Sequence, residues 1–404
     1  QFNAILSIFE ESEIRREFLE QLSAEHEALT PNTQELKAMS QVNLALAQLR
    51  LGLDKPILQL YAGDLNQPLT LLAINASTPE RINWYDLVKV YRDNEIQTVP
   101  SVNLRRSVLQ ALTFHVAEHF DTSLTESLTG IARYHVESDP DACCFSTSEL
   151  LLRRLGERNI TGWREVRRQK TMDGILGNVL IDAVGGAYVI IEHRDPENVI
   201  KRFAMATTEV SDEEIARFLA ANGIPAEFDA SDLPFQIVGF SDYEFIFQYC
   251  NWLTRENGMA THEYCYPELV EPEHLASTYA DLTQPGYRLP TSEEWILANR
   301  LDGRIIDLFI DSQALYLNYA WLFESAFGNI RPVGQKLPNS LGIFDGYGNV
   351  QEMCEVVSSD NRGYQDFGRT ARGSLTSLRV PRVLHDVESA TKNLQGIRII
   401  RGLF

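Results

Sequence analysis

The pattern of apolar residues changes near residue 160, and this change restricts the fold classes open to the chain. Before it, three stretches place apolar residues on one helical face: residues 44–51, 104–112 and 148–155. After it, short apolar runs alternate with Gly, Asn and Asp. A period near 3.6 predicts helices, and broken short runs predict strands and loops. The sequence therefore predicts an α+β protein with a helical domain at 1–158 and a loop-rich domain at 159–404.

The helical stretches are unevenly spaced, roughly 40–60 residues apart, which suits repeated helix pairs. Residues 30–158 resemble HEAT repeats at the level of this pattern. An irregular helical bundle is the alternative.

The second half carries signals for short elements. Residues 173–191 predict a hairpin with Gly185 and Gly186 at its turn, and residues 203–208 predict a strand. Ser211 can cap a helix whose first turn holds Glu213 and Glu214. A second helix is expected over residues 241–258.

Charge restricts the partners. The 404 residues include 56 acidic and 36 basic side chains, a net charge of −20. Such a surface repels phosphate backbones, so we expect no nucleic-acid partner. The longest apolar stretch, residues 175–191, is interrupted by Asn178 and Asp182, so we expect no membrane-spanning segment.

The five cysteines (143, 144, 250, 265 and 354) form no CxxC pair. This pattern favours buried thiols in a reducing compartment, and we expect a cytoplasmic protein. Acidic residues at 10, 11 and 13 stand where a leader would need an apolar core. Because the sequence begins with Gln1, we expect a fragment or a processed product, and a secreted pro-protein stays an open alternative.

Four motifs follow one another in the second half. Residues 245–253 read FIFQYCNWL, residues 287–295 read YRLPTSEEW, and residues 338–352 read PNSLGIFDGYGNVQE. The last comprises RGS at 372–374 and GIR at 396–398. Within the second motif, Thr291 and Glu294 can form a capping box that places Trp295 inward.

This set resembles the formylglycine-generating enzyme (sulfatase-modifying factor) family over about residues 165–404. Family members read RLPTEAEWE, PNxxGLYDMxGNVWEW, RGGS and GFR in the same order. The resemblance implies a loop-rich variant of the C-type lectin fold. A helical region before such a domain also resembles large bacterial multidomain signalling or effector proteins.

The resemblance further implies structural calcium. Carried over, Tyr347, Gly348 and Val350 would supply carbonyl oxygens and Glu352 its carboxylate. Such oxygen-rich loops suit calcium, although hydrogen bonds alone could also close this one. The other calcium site maps to Asn318, Tyr319, Ser325 and Phe327, where Ser325 replaces an aspartate of the family.

One departure from the family concerns catalysis. Formylglycine-generating enzymes hold copper with two thiols shortly after RGGS, and thiolates are the ligands that hold cuprous ion well. Here Ser377 and Arg382 stand near those positions, and no cysteine follows Cys354. We therefore expect no copper and no formylglycine formation, and the chain reads as a pseudoenzyme of this family.

The leading hypothesis is a recognition module that uses the segment between residues 360 and 395. Arginine and aromatic side chains are frequent at binding hot spots, and this basic cluster suits an acidic peptide or protein, or a carboxylated small molecule or glycan. The candidate ligand-binding residues are Tyr364, Phe367, Arg369, Arg372, Ser374, Ser377, Arg379, Arg382 and His385.

Two alternatives remain open: a divergent metal-dependent oxidoreductase of the same family, and a scaffold or sensor for an upstream effector domain. His115 and His119 are four residues apart with Glu118 between them, a spacing that can chelate a metal. A histidine pair without metal on a repeat helix is the plainer interpretation.

Overall fold

The computed structural model describes residues 34–65, 67–78, 81–114, 116, 122–157, 159–171, 173–194, 200–226, 231–235, 241–299, 317–321, 323–326, 329–357, 362–367 and 395–403. The chain divides into two compact units, residues 1–131 and 132–404. The change in sequence pattern predicts a boundary after residue 158, so the structural division lies earlier in the chain than predicted.

The described part of the first unit is helical. Its helices are α1 (Gln34–Arg50), α2 (Lys55–Tyr61), α3 (Pro68–Ala76), α4 (Trp84–Asp93) and α5 (Val102–Phe114), and α6 (Thr122–Ser138) crosses the division. Gly52 follows α1 with a φ of 82°, a left-handed conformation that suits glycine and ends a helix. The helices confirm the predicted class of this region, and their HEAT-like arrangement stays a prediction.

Two helices begin the second unit, α7 (Ala142–Arg154) and α8 (Ile160–Gln169). Asp141 caps α7 by accepting a hydrogen bond from the backbone of Cys144. Ser146 donates to the carbonyl of Gly342 at 2.7 Å, and Arg164 forms a bidentate pair with the buried Glu149. Helix α7 is thus part of the second unit, because periodicity predicts a helix but not what the helix packs against.

Antiparallel strands form a sheet in the order β1–β2–β3–β4–β9–β5 within the described residues. These are β1 (Ile175–Leu176), β2 (Val179–Ile181), β3 (Ala187–Arg194), β4 (Ile200–Ala206), β5 (Tyr287–Arg288) and β9 (Ile400–Gly402). The predicted hairpin is confirmed, since β2 pairs with β3 and Gly185 lies between them. The end of the chain enters this sheet between β4 and β5.

A second sheet has the order β7–β6–β8 among the described strands. Its strands are β6 (Gln351–Val357), β7 (Arg362–Phe367) and β8 (Gln395–Gly396). The pairing of β6 with β8 is parallel and sets Glu352 opposite Gly396. Two of the sequence motifs therefore lie side by side.

The remaining helices are α9 (Asp212–Ala221), α10 (Ser241–Glu256), α11 (Ser292–Asn299) and the short α12 (Phe323–Ala326). Two 3-10 turns, Thr261–Glu263 and Pro272–Ser277, follow α10. Ser211 caps α9, as the sequence predicted, and Glu214 completes a capping box with it. Aromatic side chains of α9 and α10 pack together beside the first sheet, with Phe218 against Tyr249 and Trp252.

The second unit is therefore α+β, as predicted, with helices and two small sheets joined by long loops. Its lectin-like character stays a prediction. In the part of the chain that the structure describes, no helix combines the length and apolarity needed to cross a bilayer.

Candidate functional site

The loop before β6 is shaped by left-handed backbone. Asp345, Gly348 and Asn349 have φ values of 52°, 86° and 58°. A Cβ on Gly348 would overlap the carbonyl oxygen of Trp321, so this position requires glycine. The Asn349 backbone donates to that same carbonyl at 2.9 Å.

The Asn349 side chain closes the loop. Its amide oxygen accepts from the backbone of Arg331 at 2.9 Å, and its amide nitrogen donates to the Arg331 carbonyl at 3.1 Å. The same nitrogen donates to Glu209 at 3.2 Å. Hydrogen bonds therefore help to hold the loop, and calcium at this loop stays a prediction.

Three motifs meet at the Glu352 carboxylate. Arg398 donates to both of its oxygens, at 2.6 and 2.9 Å, and the Trp295 indole donates at 2.5 Å. All three side chains are buried. Trp295 is oriented by the predicted capping box of α11, in which Thr291 and Glu294 exchange hydrogen bonds. The shared motifs thus build a buried ion pair.

Two further carboxylates lie near this pair. Burial, the nearby Asp345 and Glu352 raise the pKa of Glu209 well above its usual range. Burial also raises the pKa of Asp345 to about 6. A hydrogen bond from the Gly334 backbone and the positive charge of Arg398 act in the opposite direction. Burial disfavours the charged form of Arg398, but the surrounding carboxylates outweigh it and raise the pKa of the guanidinium. The cluster of Glu209, Asp345, Glu352 and Arg398 therefore contains three carboxyl groups and one guanidinium.

The geometry agrees with the expected calcium ligands in one respect and disagrees in another. Tyr347, Gly348, Val350 and Glu352 lie on one loop, as the resemblance implied. However, both Glu352 oxygens are bonded to Arg398, so a guanidinium occupies the position beside the carboxylate that a cation would take. This side chain does not fit the role of calcium ligand here.

The second expected site has a cation of its own. The Asn318 carbonyl accepts from the backbone of Leu337, and the Lys336 ammonium donates to the neighbouring Leu317 carbonyl at 2.5 Å. Burial, with Arg154 nearby, lowers the pKa of Lys336 to about 8. Positive charge at this place weakens the case for calcium at Asn318 and Tyr319.

Most predicted recognition residues lie outside the described residues. The backbones of Tyr364 and Phe367 are in β7, opposite Glu355 and Glu352 of β6. The others are Arg369, Arg372, Ser374, Ser377, Arg379, Arg382 and His385. His115 and His119 are also outside, so these residues stay predictions.

The cysteines are buried and form no disulfides, as expected. Burial raises the pKa of Cys265 to about 12 and those of Cys250 and Cys354 well above the usual range. A thiol reacts or binds metal as its thiolate, so the raised pKa values of these three disfavour both at neutral pH.

Sequence reasoning missed two features of this unit. The first is Arg398 as the partner of Glu352, which the opposite charges of two shared motifs could have indicated. The second is a cavity of about 490 Å³ beside the 3-10 turns. Below this cavity, Tyr266 donates to the buried Glu355 at 2.6 Å.

Comparisons with known proteins agree with the motifs. The chaperone protein LppX of Paenibacillus barcinonensis is 23% identical over 254 residues, covering 55% of this chain and 89% of that protein. A solved structure, Treponema denticola variable protein 1, shares 17% identity over 53% of this chain and 95% of its own, with a TM-score of 0.33. The model of the sulfatase-modifying factor enzyme 1-like domain matches residues 177–403. Since this match covers more than half of the sequence, the chain belongs to the sulfatase-modifying factor enzyme 1-like family.

Proposed function

We propose that this member of the family is a non-catalytic recognition module within a larger bacterial signalling or effector protein. The observation that carries the proposal is the absence of cysteine after Cys354 in the sequence. The family's oxidation needs two thiols in that region to hold copper. Cys354 itself is fully buried beside Glu352, and its raised pKa keeps it protonated.

The motif residues make contacts that hold the structure together, and this role requires no catalysis. Glu352 is neutralised by Arg398, and the glycine loop is closed by Asn349. A scaffold held in this way can present a segment for binding, and we place ligand recognition in residues 360–395. The relative named as a chaperone protein supports a binding role, because chaperones act by binding other polypeptides. We further propose HEAT-like repeats for the first unit and a C-type-lectin-like fold for the second.

Enzyme activity is tested directly. A cysteine-containing sulfatase peptide is incubated with the full chain, copper and oxygen, and aldehyde formation is followed by mass spectrometry. We expect no aldehyde. Time-dependent conversion would overturn the non-catalytic assignment and favour the divergent oxidoreductase, as would a stoichiometric redox metal in the purified protein.

Recognition is tested with a fluorescent hexaglutamate peptide and the full chain, by anisotropy. The variant R379E/R382E should weaken binding about tenfold or more, since losing even one charge-assisted contact costs about 1.4 kcal/mol or more. The control R202E/R255E changes the same number of charges at exposed arginines and should bind within about twofold of the parent. Equal loss in both variants would reduce the interaction to net charge and contradict the proposal.

Calcium is tested by metal analysis before and after mild chelation. Calcium at one ion per chain would support the loop at 347–352 as its site, despite the Arg398 pair. Removal that leaves the thermal unfolding temperature unchanged would show that hydrogen bonds alone hold the loop.

A further inference from the structure

The segment after α10 forms an open pocket at the protein surface, and the residues that line it lie outside the proposed recognition segment. The space is about 490 Å³, within the range of small-molecule sites in proteins. Its walls come from a single stretch of chain: Thr261, His262, Tyr264, Cys265, Tyr266, Pro267, Glu268, Tyr279 and Asp281.

The cavity floor is fixed by buried contacts. The Tyr266 ring stacks on Phe247 with ring centroids 4.3 Å apart, and its hydroxyl donates to Glu355. The Asn251 side chain donates to the carbonyls of Tyr266 and Pro267, at 3.1 and 3.3 Å. A floor held from below in this way needs little ordering when a ligand enters.

The segment that lines the cavity carries a net negative charge, and Arg288 lies close to its Cys265. Between Arg255 and Arg288 the sequence contains no lysine or arginine. The same stretch holds six acidic residues: Glu256, Glu263, Glu268, Glu271, Glu273 and Asp281. Clustered carboxylates create a negative potential that attracts cations.

The two carboxylates of the cavity wall differ in their contacts. Asp281 is held in place by Thr283, which donates twice to one oxygen, and by Gln284, which donates to the other. Glu268 is exposed and has no hydrogen bond or ion pair with any residue that the structure describes. One charge is therefore fixed, and the other is available to a ligand.

Three tyrosines, at 264, 266 and 279, complete the chemistry of the wall. Aromatic rings attract cations through their negative faces, and aromatic walls beside carboxylates are suited to alkylammonium groups. A small hydrated metal ion gains less from such rings, whereas an organic ammonium contacts ring and carboxylate together. We propose that this cavity binds an organic ammonium group, with Tyr264, Tyr279 and Glu268 as its contacts.

Choline is the probe, and 3,3-dimethylbutan-1-ol is its neutral counterpart of the same shape. Isothermal titration calorimetry on the full chain at low salt should give at least about fivefold tighter binding for choline, which corresponds to about 1 kcal/mol from cation–π attraction. Calcium at equal concentration should not displace it. Equal affinity for both compounds, no binding of choline, or displacement by calcium would each overturn the proposal.

Matched variants locate the binding. E268Q and Y264L should each weaken choline binding about threefold to fivefold. The controls are E273Q, which removes an exposed charge of the same segment outside the wall, and Y85L, which removes an exposed tyrosine of the first unit. Both controls should bind choline as the parent does, and weakening by E273Q equal to that by E268Q would contradict a defined contact.

Discussion

The Glu352 cluster and the cavity at residues 261–281 use similar side chains in opposite ways. At Glu352 the carboxylate is buried, with its bonds provided by Arg398 and Trp295. At the cavity, Glu268 is exposed and faces no basic residue of its own segment. The comparison teaches that shared motifs need not mark the binding surface, because both oxygens of the Glu352 carboxylate are bonded to Arg398 or Trp295 within the fold.

Removing Arg398 should break the comparison most strongly. R398M leaves Glu352, Glu209 and Asp345 buried around an uncharged side chain. We expect a loss of about 3–5 kcal/mol in the free energy of unfolding, measured by urea denaturation. R255M, which removes an exposed guanidinium beside Glu256, should cost under about 0.5 kcal/mol.

If R398M fails to fold, the double variant E352L/R398M tests whether Glu352 and Arg398 act as a pair. An apolar replacement of a buried ion pair is tolerated better than removal of one partner, so the double variant should be the more stable of the two. A double variant no more stable than R398M would contradict the pairing.

The glycine loop should respond to a single methyl group. G348A places a Cβ against the Trp321 carbonyl and imposes a left-handed φ on alanine. We expect a loss of about 3 kcal/mol from clash and strain together. G223A has a similar φ of 70° but no atom within 4 Å, so it isolates the conformational cost and should lose about 1 kcal/mol. Equal losses would show that the Trp321 carbonyl moves to accommodate the added methyl group.

Glu355 should make stability depend on pH. Burial raises its pKa to about 7, while Tyr266, Arg288 and the Ala280 backbone act in the opposite direction. A carboxyl with a raised folded-state pKa binds more protons when folded, so its contribution is present at low pH and is lost as pH rises toward 7. The loss is on the order of 3 kcal/mol between about pH 4.5 and 7.

E355Q removes this titration and keeps an acceptor for Tyr266. Urea unfolding at several pH values should therefore give a shallower decline for E355Q than for the parent. Asp182 and Asp345, whose pKa values burial raises to about 6, continue to titrate in both proteins. Parallel curves would contradict the assignment.

Sequence predicted the elements better than their relations. The helix cap at Ser211, the capping box at Thr291 and the turn at Gly185 depend on neighbouring residues, so local patterns were sufficient. Helix α7 was assigned to the repeats, because a helical period does not show that Ser146 bonds Gly342. The family resemblance implied Glu352 as a calcium ligand, whereas its partner Arg398 is distant in sequence and becomes adjacent only through the β6–β8 pairing.

The cavity was missed for a related reason. Its walls lie in one stretch of chain with no shared motif, and only folding turns Tyr264 and Tyr279 to one space. The absence of basic residues between Arg255 and Arg288 was the available signal, and it was visible in the sequence.

The smallest expected effect on stability is at Glu268 of the cavity, where it contrasts with the large effect at Arg398. E268Q should change the free energy of unfolding by less than about 0.5 kcal/mol, because an exposed carboxylate contributes little to stability. The same substitution should weaken choline binding severalfold, so stability and binding separate at this residue. At Arg398 an effect on binding could not be measured separately from an effect on stability, since the guanidinium is the buried partner of Glu352. A large stability loss in E268Q, measured by the same urea titration, would mean that the cavity wall also supports the fold.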